Sequence, residues 1–375
     1  MIYLDNSSTT HKKPYRVIKH SLKGLKRNSI NPSRGGYKSA IKTQTLLFEC
    51  REKLSNYLGT NSENIIFTSG CTMAINLGLM GTAKKNGHII TTVFEHNSVL
   101  RTLNKLQSTH NISITYLEPH SNGKISIEDI IKNITNSTYM IVINHTSNVI
   151  GATQDIEEIG KVCKKFNLLF FVDGAQSVGH NLINMKEMNI NLLSVAGHKG
   201  LYSPQGIGVL LINNCKVSPL INGGTGTYSD SIVQPTDYPD GLESGTPNIV
   251  GILGLSAGLD FVISKQNKIN KKILYLTNYL LQKLNKINNV KIYSNNPKSG
   301  VVAFTIHNID SVEVSNILDA KFNICTRSGL HCAPLLHKYF RTLKSGMTRI
   351  SLSYFNNIYE IKKVIKAIKK IALNA

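Results

Sequence analysis

The chain has 375 residues, 41% of them hydrophobic, with 28 glycines and no tryptophan. This ordinary globular composition fits one large domain or two domains and excludes a disordered, collagenous or coiled-coil protein. Lys and Arg number 43 against 22 Asp and Glu, a formal charge of +21. That admits an anionic partner such as an acidic protein or tRNA. The lysines fall in scattered pairs, Lys84-Lys85, Lys164-Lys165, Lys271-Lys272 and Lys369-Lys370, so solvated lysines are the first reading.

From the N-terminus, Met1 to Asp5 runs straight into polar residues without an apolar signal region. No stretch approaches the ~18 uninterrupted apolar residues of a membrane helix, and a cytoplasmic protein without membrane contact is expected. Runs read as strands buried on both faces follow at 64–67, 88–93, 139–143, 168–172, 191–195 and 206–212. Segments long enough for helices lie between them, for example Asp155 to Phe166. This is an α/β pattern with a mostly parallel sheet. Past Ala257 comes a Lys/Asn/Leu-rich helical stretch from about Asp260 to Ile287, then strand-like runs at 290–293, 301–306 and 348–353. A closing helix sets Ile361, Val364, Ile365, Ile368 and Ile371 on one face and Lys362, Lys363, Lys366, Lys369 and Lys370 on the other. The expected division is a large domain at 15–258 and a smaller α+β domain from 1–14 and 259–375. The six cysteines, Cys50, Cys71, Cys163, Cys215, Cys325 and Cys332, show neither paired nor metal-ligand spacing; no metal is expected.

In an open parallel sheet, functional groups collect beyond the C-terminal strand ends. After the strand at 64–67 comes Thr68-Ser69-Gly70-Cys71-Thr72, a glycine with hydroxyls opening a helix, which offers free N–H groups to an anion. An ordinary helix cap uses the same residues. After the strand at 168–172 stands Asp173, an acid at the end of a very apolar run, costly unless it meets a cation or donor. After the strand at 191–195, Gly197-His198-Lys199 sets an amine near the same edge, where it can act as a nucleophile toward an aldehyde. Anion seat, acid and lysine at neighbouring strand ends match the needs of pyridoxal 5'-phosphate.

These residues carry a family resemblance over nearly the whole chain. Tyr3-Leu4-Asp5-Asn6 with Thr9-Thr10, Phe67-Thr68-Ser69-Gly70, Glu95-His96-Asn97-Ser98, Ser147-Asn148-Val149-Ile150-Gly151, Val172-Asp173-Gly174-Ala175-Gln176, Gly197-His198-Lys199, Gly245-Thr246-Pro247-Asn248 and Arg327-Ser328-Gly329-Leu330-His331-Cys332 resemble, in the family's order, the class V, fold-type I pyridoxal-phosphate enzymes. Within them the likeness is to the NifS/SufS-like cysteine desulfurases. The resemblance implies a large domain with a mostly parallel seven-stranded sheet and a small C-terminal α+β domain. It implies that Lys199 holds the cofactor covalently and shuttles the substrate Cα proton, that Asp173 pairs with the pyridine nitrogen, that Gln176 bonds the phenolic oxygen and that His96 stacks on the ring and assists the proton transfer as a third catalytic residue beside Lys199 and Cys332. Thr72 with the backbone at Cys71, and His198, would hold the phosphate, joined by Thr246 from a second subunit, which implies a homodimer with its active site at the interface. Asn148, beside the cofactor, and Arg349 would bind the substrate carboxylate, the latter suited to a bidentate pair.

By the same resemblance Cys332, as thiolate, would attack the sulfur of L-cysteine, leaving a persulfide for iron–sulfur cluster or thio-cofactor synthesis and releasing L-alanine. His331 and Arg327 would favour the thiolate. Cys325, on a strand-like stretch, reads as core. The compact Cys loop resembles that of the group that turns over slowly alone and hands sulfur to a dedicated acceptor protein. A selenocysteine lyase, or another class V aminotransferase or lyase in which Cys332 is dispensable, fits the same framework. Three positions depart from the family: Ala196 stands where a phosphate-binding Ser or Thr is common, Cys71 where a small residue is usual, here read as a filler, and Tyr37 where relatives often have His.

Overall fold

The computed structural model describes residues 1–32, 35–295, 297 and 299–374. Strand β1 (Ile2–Tyr3) precedes helices α1 (Tyr15–Arg27) and α2 (Lys38–Leu58), then β2 (Ile65–Thr68), α3 (Cys71–Gly81), β3 (His88–Thr92), α4 (Asn97–His110), β4 (Ser113–Leu117) and α5 (Ile127–Lys132). The middle of the chain holds β5 (Thr138–Asn144), α6 (Ile156–Lys165), β6 (Leu169–Asp173), β7 (Leu192–Ala196) and β8 (Gly208–Ile212). The rest is α7 (Ile249–Leu284), β9 (Val290–Ile292), β10 (Val301–Ile306), α8 (Ser311–Phe322), β11 (Ile324–Cys325), α9 (Pro334–Tyr339), β12 (Thr348–Ser351) and α10 (Ile358–Leu373).

Seven strands form the main sheet in the order β2-β8-β7-β6-β5-β3-β4, parallel except where β8 runs antiparallel to both of its neighbours. The apolar runs of the sequence have their cause in this sheet. Alternate residues of each strand enter opposite cores: Phe67, Ile141, Phe170 and Leu193 pack on one side with α2 and α7 residues, and Ile66, Met140, Phe171 and Leu192 on the other with α3 and α4 residues. Each such side chain contributes ~1.5–3 kcal/mol of burial. The edge strand β4 has no counterpart among the expected strands. It is half-buried along most of its length, so its sequence, Ser113-Ile114-Thr115-Tyr116-Leu117, alternates and makes no continuous apolar run.

A smaller antiparallel sheet, β12-β10-β9, packs with α8 and α10 around Phe304, Ile350, Val364 and Ile368. The capping box Asn357–Glu360 opens α10, whose lysines 362, 363, 366, 369 and 370 face solvent as its apolar stripe requires. Strand β1 pairs in parallel with β11, placing Tyr3 opposite Cys325, a half-buried residue rather than a fully buried core one.

Helix α7 starts at Ile249, well before the expected start near Asp260, and the 258/259 division falls inside it. Gly251, Gly254 and Gly258 mask the start, because glycine weakens a helical reading. Close approach accounts for two of them. A Cβ on Gly254 would lie 2.4 Å from Pro204 Cδ, and one on Gly258 2.0 Å from the Leu201 carbonyl oxygen. By length and composition α7 could cross a membrane, but Ile252, Leu255, Leu259, Ile269 and Leu280 are wholly buried, and it is a core helix.

The glycine face of α7 thus seats the segment that follows Lys199. Replacing Gly258 with Ala should raise intrinsic helix propensity yet destabilise the protein by about 1–3 kcal/mol through overpacking against Leu201. Urea unfolding of the variant measures this, and a stabilised variant would refute the packing argument.

Candidate active site

Register builds the site. Asn144 at the end of β5 pairs with Asp173 at the end of β6, and Asp173 pairs with Ser194 in β7. The strand order reverses direction at β3 and β5, where such sheets hold ligands. There a cavity of about 260 Å³ is lined by Cys71, Thr72, His96, Asn148, Asp173, Gln176, His198 and Lys199. Cys332, Arg349 and Thr246 are not on its wall. Thr246 instead lines a neighbouring cavity of about 810 Å³ that shares Ser69 with the first.

Asp173 is buried, and its Oδ1 accepts from Ala175 N at 2.9 Å, Ser194 Oγ at 3.5 Å and Cys71 Sγ at 3.8 Å. Its Oδ2 accepts no hydrogen bond among the described residues. Burial pushes the Cys71 thiol well above its ordinary range, and the Asp173 charge adds to this, so Cys71 remains a thiol that donates to Asp173. Burial pushes the Lys199 amine down from the usual lysine value, opposed by the Cys71 and Asp173 side chains.

His96 caps α4: its Nδ1 accepts from Ser98 N at 3.1 Å, which fixes the neutral tautomer with the proton on Nε2. Burial holds it near pKa 4. Glu95, fully buried, ties the loop below to the sheet, accepting at Oε1 from Thr92 Oγ1 at 2.7 Å and Asn144 N at 2.9 Å. Burial pushes Glu95 up to about 8, so no second anion faces Asp173 at neutral pH. Gln176 Nε2 donates to Ser7 O at 2.9 Å, leaving one further amide N–H. The His198 carbonyl accepts from Thr10 Oγ1 at 2.9 Å and Lys13 Nζ at 3.1 Å. Glu95, Asn144 and Ser194 had no individual role in the sequence reading, because nothing local in sequence shows which strand ends adjoin.

Pyridoxal phosphate fits this chemistry. At one end the first N–H groups of α3, whose Gly70 cap offers no side chain, open on the cavity, and His198 Nδ1 is buried without a partner. Those groups suit an anion. At the other end Asp173 Oδ2 suits a protonated ring nitrogen, and the Lys199 amine lies on the same wall. Ala196 lines the cavity and adds no donor there.

The Cys loop lies alongside. The Cys332 carbonyl accepts from Asn97 N at 2.7 Å, next to His96, and His331 and Cys332 both hold left-handed backbone, φ +50° and +59°. Two consecutive non-glycine residues there store strain. Arg327 Nη2 stands 3.5 Å from Cys332 Sγ. His331 does not share that role as expected: it is buried, its Nε2 bonds the Met347 carbonyl at 3.1 Å, and burial pushes its pKa down to about 2. A neutral ring brings no charge to Cys332. Arg349 is wholly buried and gives Nη1 to Asn148 O at 2.8 Å and Nη2 to Asp5 Oδ1 at 2.5 Å, while its Nε has no partner. Asn148 gives Nδ2 to His331 O at 2.7 Å and keeps Oδ1 unpaired.

The profile of the aminotransferase class-V family matches residues 2–364. A probable cysteine desulfurase of Borreliella burgdorferi is 33% identical over 99% of this chain and 92% of its own, and a cysteine desulfurase IscS of Buchnera aphidicola is 31% identical over 98% and 92%. The apo structure of a cysteine desulfurase from Thermococcus onnurineus superposes with a TM-score of 0.92 at 28% identity, covering 100% of this chain and 95% of that one.

Burial holds His96, His145, His180 and His198 near pKa 4, below the value of 6.5 they regain on unfolding. The unfolded chain therefore takes up more protons between those values. The histidine contribution should be complete above about pH 6.5 and be lost toward pH 4 by about 1.4 kcal/mol per pH unit for each such histidine, a slope that the single opposing titration of Glu95, raised to about 8, offsets only in part. Urea midpoints at pH 7 and pH 5 check this, and equal midpoints would contradict it.

Proposed function

The chain belongs to the aminotransferase class-V family, among its cysteine desulfurases, and from that premise we propose that Lys199 moves the proton while Cys332 takes the sulfur. The enzyme is pyridoxal-phosphate-dependent and converts L-cysteine to L-alanine. When bound, the cofactor supplies an aldehyde carbon that captures amines and a ring that accepts the electron pair left at the substrate Cα. Asp173 Oδ2 would hold the ring nitrogen, the start of α3 and His198 the phosphate, the free N–H of Gln176 the phenolic oxygen, and His96 would pack against the ring.

The Lys199 amine, whose hold on a proton burial weakens, takes the proton from the substrate Cα and holds it within the cavity. Arg349 Nε, buried with no protein partner, and the second amide N–H of Asn148, whose first goes to His331 O, orient the substrate carboxylate. The Cys332 thiolate attacks the substrate sulfur. An S–S bond forms and the Cβ–S bond breaks, its electron pair passing to Cβ, which gains a proton in place of the one the Cys332 thiol gave up and becomes a methyl group, and Lys199 returns its proton to Cα to complete L-alanine. Cys332 is left as a persulfide, two thiols' worth of sulfur on one residue. An external thiol, that of an acceptor protein, must then take the outer sulfur.

The observation that carries this reading is the pairing of Arg327 with Cys332 on a loop fastened to Asn97, one residue from His96. A homodimer is supported by Thr246. It lies outside its own cofactor cavity, on the wall of a cavity also lined by Leu47, Ile207 and the exposed Phe48. A second copy set there would bring this hydroxyl to its neighbour's phosphate and cover the apolar side chains. A cytoplasmic setting accords with six unpaired cysteines. Iron–sulfur cluster or thio-cofactor assembly accords with a persulfide product.

Cys332→Ala should keep the cofactor absorbance and lose alanine formation by roughly a hundredfold or more. Assay of alanine from cysteine, with trapping of the released sulfur, reads both, and full turnover in the variant would overturn the role of Cys332. Lys199→Ala should lose the absorbance of the covalently held cofactor together with activity. Sedimentation of the holoenzyme should give twice the mass of one chain, whereas a monomer would remove Thr246 from the site.

A further inference from the structure

Between the two arginines sits one hydroxyl. Ser8 Oγ accepts from Arg327 Nη1 at 3.0 Å and from Arg349 Nη2 at 3.0 Å, and donates to Asp5 Oδ1 at 2.8 Å. A hydroxyl has one proton and two lone pairs, so every bonding capacity of Ser8 is used. Its loop is set from within, because Ser8 N and Tyr3 Oη both bond the Asp5 carbonyl, at 3.1 Å each.

The charges explain why such a hydroxyl matters. Arg327 and Arg349 bring two positive charges and Asp5 one negative, so a single positive charge is left over. Two guanidiniums this close repel, and Arg349 is fully buried. Ser8 lets both approach one oxygen while Asp5 neutralises one of them. The same grip fixes where each free end points. Arg327, held at Nη1, turns Nη2 to Cys332 Sγ at 3.5 Å. Arg349, held at Nη2 by Ser8 and Asp5 and at Nη1 by Asn148 O, keeps Nε unpaired.

We propose that Ser8 is a positioning residue that couples the carboxylate-binding Arg349 to the sulfur-accepting Cys332 through Arg327. The proposal rests on the roles given above to Cys332 and Arg349. It adds a residue that touches neither substrate nor cofactor, and that sets two reacting ends of one substrate at a fixed separation. The leftover positive charge is shared across the hydroxyl: a thiolate at Cys332 or a carboxylate at Arg349 can answer it, and Ser8 makes each sensitive to the other.

The test uses the purified holoenzyme with Ser8→Ala and Ser8→Thr. The rate of iodoacetamide modification of Cys332 at pH 7 is followed on the Cys332 peptide by mass spectrometry, with and without L-alanine, which carries the carboxylate but no sulfur. Wild type should show a rate that alanine changes. Ser8→Ala should be modified roughly three- to tenfold more slowly without alanine, should no longer respond to alanine, and should raise KM for cysteine more than it lowers kcat. Ser8→Thr, which keeps the hydroxyl, should restore all three. Wild-type rate and alanine response in Ser8→Ala would overturn the proposal, as would equal loss in both variants with the cofactor absorbance intact. Failure of the desulfurase reading shows separately, as alanine formation that survives Cys332→Ala.

Discussion

A carboxylate at the end of a buried strand governs this molecule. Asp173 lies where burial would cost several kcal/mol without compensation, and three donors from three different elements, Ala175, Ser194 and Cys71, converge on one of its oxygens. The other oxygen faces the cavity and calls for a proton-bearing partner. Much of the surrounding chemistry follows from accommodating that one charge. Glu95, two strands away, stays protonated. His96 and His198 stay neutral. The Lys199 amine is pulled toward its charged form by Asp173 and away from it by burial. A site with one fixed anion and neutral neighbours can protonate a bound ring without trapping the lysine as a permanent cation.

The sequence was most legible where physical period and chemistry coincide. Both-face burial of β5, β6 and β7 makes their apolar runs visible, and the polar residues that end those runs are the site residues Asp173 and Lys199 with its neighbour His198. Legibility failed where a residue serves two purposes. Gly254 and Gly258 weaken the helical signal of α7 because the backbone beside Lys199 needs their space. Strand β4 was hidden by its place at the sheet edge. His331, adjacent to Cys332 in sequence, was assigned a charge that its burial forbids; adjacency along the chain says nothing of where a ring turns. The partnership of Ser8 with residues 327 and 349 could not be read at all, since no local pattern joins residues more than 300 positions apart.

The small sheet and the large one meet across this site. Arg349 comes from β12 yet donates to the carbonyl of Asn148, just past the end of β5, and the Cys loop from the small domain is fastened to Asn97 at the start of α4. Helix α7 contributes residues to both cores without a break. The two units therefore share a wall, and the reacting groups are held by that shared wall more than by either unit.

The joining of the chain's two ends has a consequence for synthesis. Asp5 and Arg349 are 344 residues apart in sequence, and β1 finds its partner only in β11. On a ribosome adding about 5–20 residues per second, the first ten residues wait roughly 20 to 70 seconds for the strands they belong to. The large sheet can assemble meanwhile, with its lysine and acid in place, but a chain stopped short of β12 has no arginine for a carboxylate. The order of synthesis is thus built into the site: the segment around Asp5 acts as a latch that closes only once β12 and its Arg349 have been made.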